Sequence, residues 1–313
     1  MPAVIRGICP VVPTLFDPSE RMHFEEMKGL IEALIADGVH GLAVFGVGSE
    51  FYKLTEAERK RLLEFFIDSV GGRTATIVSV TAHGTLPALE QATEAARAGA
   101  DALMLLPPFF AAPDAGSILR HLQQIIGEAG IPVIVQYAPE ETGITIPTEV
   151  FLKLSERGNG KLYVKVESKP AGPLVSRLTE CGLKVLAGKG GLAFFEALER
   201  GAVGVMPGCS QADKFVAIYD CYLKGDRDAA FRLHNRIVPY LAFVDQSAEM
   251  FLAAEKYFLK RKGVITLDGC RRPDFALEDV HRRILDRYGE MMNSVCFGQP
   301  GEGMEARTSQ KKQ

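Results

Sequence analysis

The sequence predicts an α/β fold, a closed (β/α)8 TIM barrel followed by a C-terminal helical appendix. Three observations predict it: eight short apolar runs, amphipathic helical stretches between them, and glycines that close those helices. The runs cover residues 7–13, 41–46, 75–81, 102–106, 132–137, 162–167, 184–187 and 202–206. Each is short, apolar and often β-branched, as buried parallel strands are. Gly38, Gly72, Gly99, Gly130, Gly158, Gly182 and Gly201 each precede one of them. A glycine there fits a helix C-terminus, which often needs a left-handed residue. An open doubly wound sheet shares this local pattern. The count of eight, and the lack of a Gly-x-Gly-x-x-Gly after the first strand, favour the barrel.

The helices follow the 3.6-residue period. Met27, Leu30, Ile31, Leu34 and Ile35 share a face of the first, and Leu62, Leu63, Phe66, Ile67 and Val70 a face of the second. Thr55 with Glu58 forms a capping-box pattern at the second helix's start. Past residue 225 the alternation stops. Residues 226–244, 246–262 and 277–288 read as three further helices, expected to pack on the barrel or make subunit contacts. The predicted division is a barrel over 1–225, a helical region over 226–297 and a disordered tail over 298–313, where no apolar period remains.

Composition narrows the function. The chain has 313 residues, 47% hydrophobic and 24% charged, with a net charge of −3. No basic stripe marks a nucleic-acid binder, and no apolar run approaches the roughly 18 residues of a membrane span. Six cysteines are scattered without a Cys-x-x-Cys pair, as in reduced, cytoplasmic proteins. Histidines are isolated. No metal and no cofactor is predicted.

The chemistry of such barrels sits at the C-terminal ends of the strands. The sixth strand stands out: Leu162-Tyr163-Val164-Lys165-Val166-Glu167. A period of two puts Tyr163, Lys165 and Glu167 on one face and the valines on the other. If the valines meet the helices, Lys165 points into the barrel. Neutralising an ordinary lysine at pH 7 costs about 4.6 kcal/mol in water, and burial lowers that cost. A neutral amine is the nucleophile that captures a ketone as a Schiff base. The alternative is a buried Lys165–Glu167 ion pair without catalytic duty. Lys189, after the seventh strand, is the second candidate nucleophile, with a solvated loop lysine as its plainer reading.

These residues carry a resemblance. Gly7-Ile8-Cys9-Pro10-Val11-Val12-Pro13-Thr14 stands at the first strand, Gly46-Val47-Gly48-Ser49-Glu50 after the second and Pro107-Pro108-Phe109-Phe110 after the fourth. Pro132-Val133-Ile134-Val135-Gln136-Tyr137-Ala138-Pro139, ending in Thr142-Gly143, marks the fifth, and Tyr163-Val164-Lys165 the sixth. In this order the motifs resemble the dihydrodipicolinate synthase and N-acetylneuraminate lyase family of class I lyases over residues 4–290. The resemblance implies that Lys165 forms the Schiff base with a 2-oxo acid, commonly pyruvate, and that the chain is a homo-oligomer of dimers or tetramers.

The departures are informative. The family's usual Gly-Thr-Thr-Gly-Glu loop has Val47 and Gly48 in place of its threonines and Ser49 in place of its second glycine. The tyrosine positions of the synthase proton relay hold Phe110 and Gln136, and Tyr137, one residue on, faces the other way. The arginine for an aspartate-semialdehyde carboxylate aligns with Glu141. The Val-Gln-x-Ala-Pro and Lys-Val-Glu-Ser pattern is nearer the 2-keto-3-deoxy sugar acid dehydratases and aldolases. The expectation is therefore a lyase for such an acid, with 4-hydroxy-tetrahydrodipicolinate synthase and a non-catalytic 2-oxo-acid-binding barrel as alternatives. Glu167 is expected to act as general base or acid at C3 of the imine, or else only to partner Lys165. Gln136 is expected to bond the imine or a substrate hydroxyl. The backbone of Val47 and Gly48, with the Ser49 hydroxyl, is expected to seat the carboxylate. Gly188, in the cluster after the seventh strand, is expected to meet the substrate's distal end, and Met206 to line the site. His83 is expected at the surface and Tyr137 against the helices, while Phe109 and Phe110 are expected at an apolar rim or subunit contact.

Overall fold

A computed structural model describes residues 4–156 and 160–293. The predicted tail, residues 298–313, lies outside the described residues, as do Gly158 and residues 294–297. Eight parallel strands follow the order β1-β8-β7-β6-β5-β4-β3-β2. They are β1 (Gly7–Ile8), β2 (Gly41–Val44), β3 (Ala75–Val80), β4 (Ala102–Leu105), β5 (Val133–Tyr137), β6 (Leu162–Val166), β7 (Lys184–Ala187) and β8 (Gly204–Val205). The ring closes between β1 and β2 by a single parallel bridge, Val11 to Ala43. The first strand is thus shorter than the predicted 7–13, because Pro10 and Pro13 have no N–H to give a ladder.

The barrel helices are α1 (Phe24–Ala36), α2 (Glu56–Val70), α3 (Thr85–Ala98), α4 (Ala115–Glu128), the short α5 (Pro139–Thr142), α6 (Thr148–Ser155), α7 (Gly172–Glu180), α8 (Phe194–Glu199) and α9 (Ala212–Leu223). Three more follow: α10 (Arg227–Val244), α11 (Ala248–Arg261) and α12 (Asp279–Asn293). Thr55 and Glu58 form the expected capping box on α2. Gly99 closes α3 with φ 101°, a left-handed conformation costly for other residues. No helix among the described residues is long and apolar enough to cross a membrane.

Two apolar layers position the site. The outer one packs helices on strands and contains Val164, Val166 and Tyr137. The inner one fills the barrel with Cys9, Val11, Ile77, Met104, Ile134, Tyr163, Leu186 and Met206. The alternation along β6 therefore resolves as expected, valines outward and Tyr163 inward. Tyr137 faces the helices, its ring 5.6 Å from that of Phe151.

Candidate active site

Above the inner layer, at the C-terminal ends of the strands, lies a cavity of about 580 Å³. Its floor holds Lys165, Glu167 and Gln136, and its sides Val11, Val47, Gly48, Met206 and Pro207. Register places Gln136 directly opposite Lys165 on neighbouring strands. Lys165 Nζ lies 3.0 Å from Glu167 Oε1, and both residues are buried. Gln136 Nε2 donates to Glu167 Oε2 at 2.6 Å, and the Lys189 amide donates to Oε1 at 3.0 Å. Burial alone would push the Glu167 carboxyl up. The Lys165 charge and the amide donors of Lys189 and Gln136 outweigh it and hold the group below its ordinary value. Glu167 is thus held as a carboxylate, with the Lys165 nitrogen one short contact away.

Gln136 therefore has a partner that the sequence did not reveal. It orients Glu167 and lies within the same cavity, where a bound substrate would also meet it. Gly188 has a different neighbour from the one expected. It does not line the cavity, and a Cβ built on it would sit 2.2 Å from Glu167 Cγ. Its missing side chain is the space in which Glu167 lies.

The loop after β2 forms a 3-10 turn, Val47–Ser49. Val47 and Gly48 line the cavity. Ser49 does not. Its hydroxyl donates to the Val12 carbonyl at 2.6 Å, and its own carbonyl accepts from Thr14 Oγ1 at 2.6 Å. The residue is fully buried, so its hydroxyl anchors the turn to the chain after β1 and is withdrawn from any substrate.

The mouth is ionic. Lys189 pairs with Glu141, with Glu140 at 3.0 Å and with Asp245 at 3.7 Å; Lys169 pairs with Asp245 at 2.6 Å and Glu140 at 3.6 Å. Partial burial works against the Lys189 ammonium, but Glu141 and Glu140 prevail and raise its pKa. Held among three carboxylates and turned to the rim, Lys189 is a poor nucleophile beside Lys165. The far wall comes from the C-terminal helices, through Leu241, Val244, Ala248 and Phe251. Expected to pack or to join subunits, that region also encloses the cavity. Its contribution could not be read from periodicity, which gives a face but not its neighbour. His83 lies outside the cavity lining, its ring 4.8 Å from Phe109. Phe110 is 85% exposed.

The dihydrodipicolinate synthetase family model matches residues 4–288. An uncharacterized DapA-like lyase of Halobacterium salinarum is 30% identical over 290 residues, covering 91% of this chain and 93% of the relative. An L-2-keto-3-deoxyarabonate dehydratase of Azospirillum brasilense is 25% identical, with 86% of this chain and 88% of the relative covered. A crystal structure of dihydrodipicolinate synthase from Rhodopseudomonas palustris superposes with a TM-score of 0.85 at 24% identity, over 92% of this chain and 97% of that one, a likeness of fold. A lysine and a carboxylate at the C-terminal mouth of an eight-stranded barrel, together with a match along nearly the whole described chain, make this protein a member of the dihydrodipicolinate synthetase family of class I lyases.

Proposed function

We propose that the protein forms a Schiff base between Lys165 and a 2-oxo acid, and that its substrate is a 2-keto-3-deoxy sugar acid which it dehydrates or cleaves. The observation that carries this reading is the buried contact of Lys165 with Glu167, itself held by Gln136 and the Lys189 amide. Transfer of a proton from Nζ to Glu167 leaves the amine free to add to the C2 carbonyl. Glu167 returns that proton to the carbinolamine hydroxyl, which leaves as water and gives the protonated imine, whose C3 hydrogens are acidic. Glu167, as carboxylate, takes a proton from C3. The enamine electrons then expel the C4 hydroxyl, which leaves as water with the proton Glu167 holds. In cleavage, Glu167 takes the C4 hydroxyl proton instead, and the C3–C4 bond breaks to leave the enamine of pyruvate. That enamine takes the proton from Glu167 at C3 to give the imine, and on either route hydrolysis of the imine returns Lys165. Amides of Val47 and Gly48 seat the substrate carboxylate, Met206 and Val11 bound its carbon chain, and the ionic mouth meets its hydroxyl-bearing end.

Condensation to 4-hydroxy-tetrahydrodipicolinate has less support. Val47, Phe110 and Gln136 hold the relay positions, and Glu141 brings negative charge where a second substrate carboxylate would bind. The dehydratase from Azospirillum brasilense supports the sugar-acid reading as a relative named for that chemistry. The protein is read as a homo-oligomer, a dimer or a tetramer. The test is reduction with borohydride in the presence of pyruvate or a 2-keto-3-deoxy pentonate, followed by peptide mass spectrometry. An adduct on Lys165, with product analysis showing water loss or cleavage, is the expected result. An adduct on Lys189, or none, overturns it.

A further inference from the structure

The 3-10 turn that carries Val47 and Gly48 is held from two sides. On one side, Ser49 and Thr14 tie it to the chain after β1. On the other stands Glu50, a fully buried carboxylate whose backbone is left-handed, with φ 54°. Such a conformation persists in a non-glycine residue when its surroundings over-determine it. Here the surroundings are charges. Glu50 Oε1 lies 2.5 Å from Nζ of Lys256, and neither side chain is exposed. Oε2 accepts from the Arg271 amide at 3.0 Å and from Lys53 at 3.2 Å. Lys256 is fixed in turn by the Gly269 carbonyl at 3.0 Å and by the ring of Phe16, 4.9 Å away. Arg271 pairs with Glu58 through both guanidinium ends. Lys256 lies on α11 and Arg271 beyond it, so two of the three donors to Glu50 come from outside the barrel.

The geometry points to Lys256 as a positioning residue: through Glu50 it holds the Val47–Ser49 turn in the shape that presents its amides to the substrate carboxylate. The helical region after residue 225 is then a working part of the barrel's anion seat. An ion pair removed from water on both sides is strong in its own geometry and costly to half-remove, so it holds one loop conformation. The inference rests on the proposed use of that turn for the 2-oxo-acid carboxylate, and its test separates the two.

The experiment uses the full chain with Lys256→Met, and with Glu50→Gln/Lys256→Met, which leaves no orphan charge in the core if the single variant fails to fold. Hydrogen exchange at residues 46–50 is compared with wild type, alongside borohydride trapping against pyruvate concentration. The expected results are faster exchange confined to this turn and its partners, and a half-saturating pyruvate concentration raised about tenfold, as for loss of one charged hydrogen bond, at unchanged limiting trapping. Trapping of hydroxyacetone, which has no carboxylate, stays at the wild-type level. Unchanged exchange at 46–50 in a folded variant overturns the positioning role. Wild-type protein that traps no 2-oxo acid on Lys165 overturns the proposed function instead, and the exchange result still judges Lys256.

Discussion

Gly188→Ala isolates the carboxylate without touching it. The φ of Gly188 is −115°, which alanine adopts, but its ψ of −146° lies beyond the main extended region, so a small backbone cost adds to the steric one. The added carbon would lie 2.2 Å from Glu167 Cγ and 2.7 Å from both Cδ and Oε1. Ordinary carbon contacts are about 3.5–4.0 Å, so Glu167 must move by an ångström or more, or the end of β7 must retreat. Movement of Glu167 disturbs its contacts to Lys165 at 3.0 Å, Gln136 at 2.6 Å and the Lys189 amide at 3.0 Å. Overpacking of this kind destabilises by about 1–3 kcal/mol. At roughly 2–4 °C per kcal/mol for a chain of this size, the melting temperature falls by about 2–12 °C. Displacing a general acid–base group lowers kcat by about 10²–10⁴-fold. The assay is steady-state turnover of a 2-keto-3-deoxy acid, with pyruvate trapping carried to completion as a control that Lys165 remains able, if more slowly, to form its adduct. Gly188→Ala and Glu167→Gln are expected to have similar kcat, and the double variant to be no worse than the weaker single, because both remove one function. Turnover of Gly188→Ala at the wild-type level, or additive losses in the double variant, would refute the claim that this glycine exists to accommodate a working Glu167.

Other outcomes follow from the same contacts. Gln136→Leu removes one of the donors that hold the Glu167 carboxyl low, so the acid limb of the kcat/KM profile should move to higher pH and kcat/KM should fall about tenfold. Because the folded Glu167 titrates below 4.5, its contribution to stability is complete above that value and is lost as the pH falls through the lower folded value; Gln136→Leu should reduce that acid-side slope in pH-dependent melts. Lys165→Met should abolish the borohydride adduct and destabilise by about 3 kcal/mol, since it leaves a buried carboxylate unpaired, whereas Lys165→Met/Glu167→Gln should recover much of the loss in denaturant titrations. Glu255 has the opposite sign. Burial raises its pKa despite the Ser210 and Tyr240 bonds, so its contribution fades as pH rises through the folded value, and Glu255→Gln should flatten the fall in stability above the ordinary carboxylate range.

What the sequence disclosed depended on whether a local period carried the information. Alternation along 162–167 was enough to send Lys165 and Glu167 into the barrel and the valines to the helices, because a strand has only two faces. The same rule turned Gln136 inward and Tyr137 outward. Ser49 escaped it. A 3-10 turn has no such binary choice, and the hydroxyl's direction was decided by Val12, a residue far away in sequence. Gly188 escaped for a related reason, since a glycine after a strand reads alike whether it admits a ligand or a neighbouring side chain. The wall built by Val244, Ala248 and Phe251, and the Lys256–Glu50 pair, are long-range contacts between segments whose own patterns reveal only that they are amphipathic helices and a βα loop. Lys256 left a faint signal: a lysine in the apolar stretch of α11 that is fully buried.

The arrangement of Gln136, Lys165, Glu167 and Gly188 has an evolutionary consequence. Three consecutive strands, β5 to β7 and the residues that follow them, carry the groups proposed to act on the substrate, with Gln136 and Lys165 set opposite each other by ladder register. The rim is furnished elsewhere, by Glu140 and Glu141 of α5, Asp245 at the end of α10, and Phe251 of α11. Substitutions at the rim can therefore change which molecule is admitted while leaving those strand-borne groups in place.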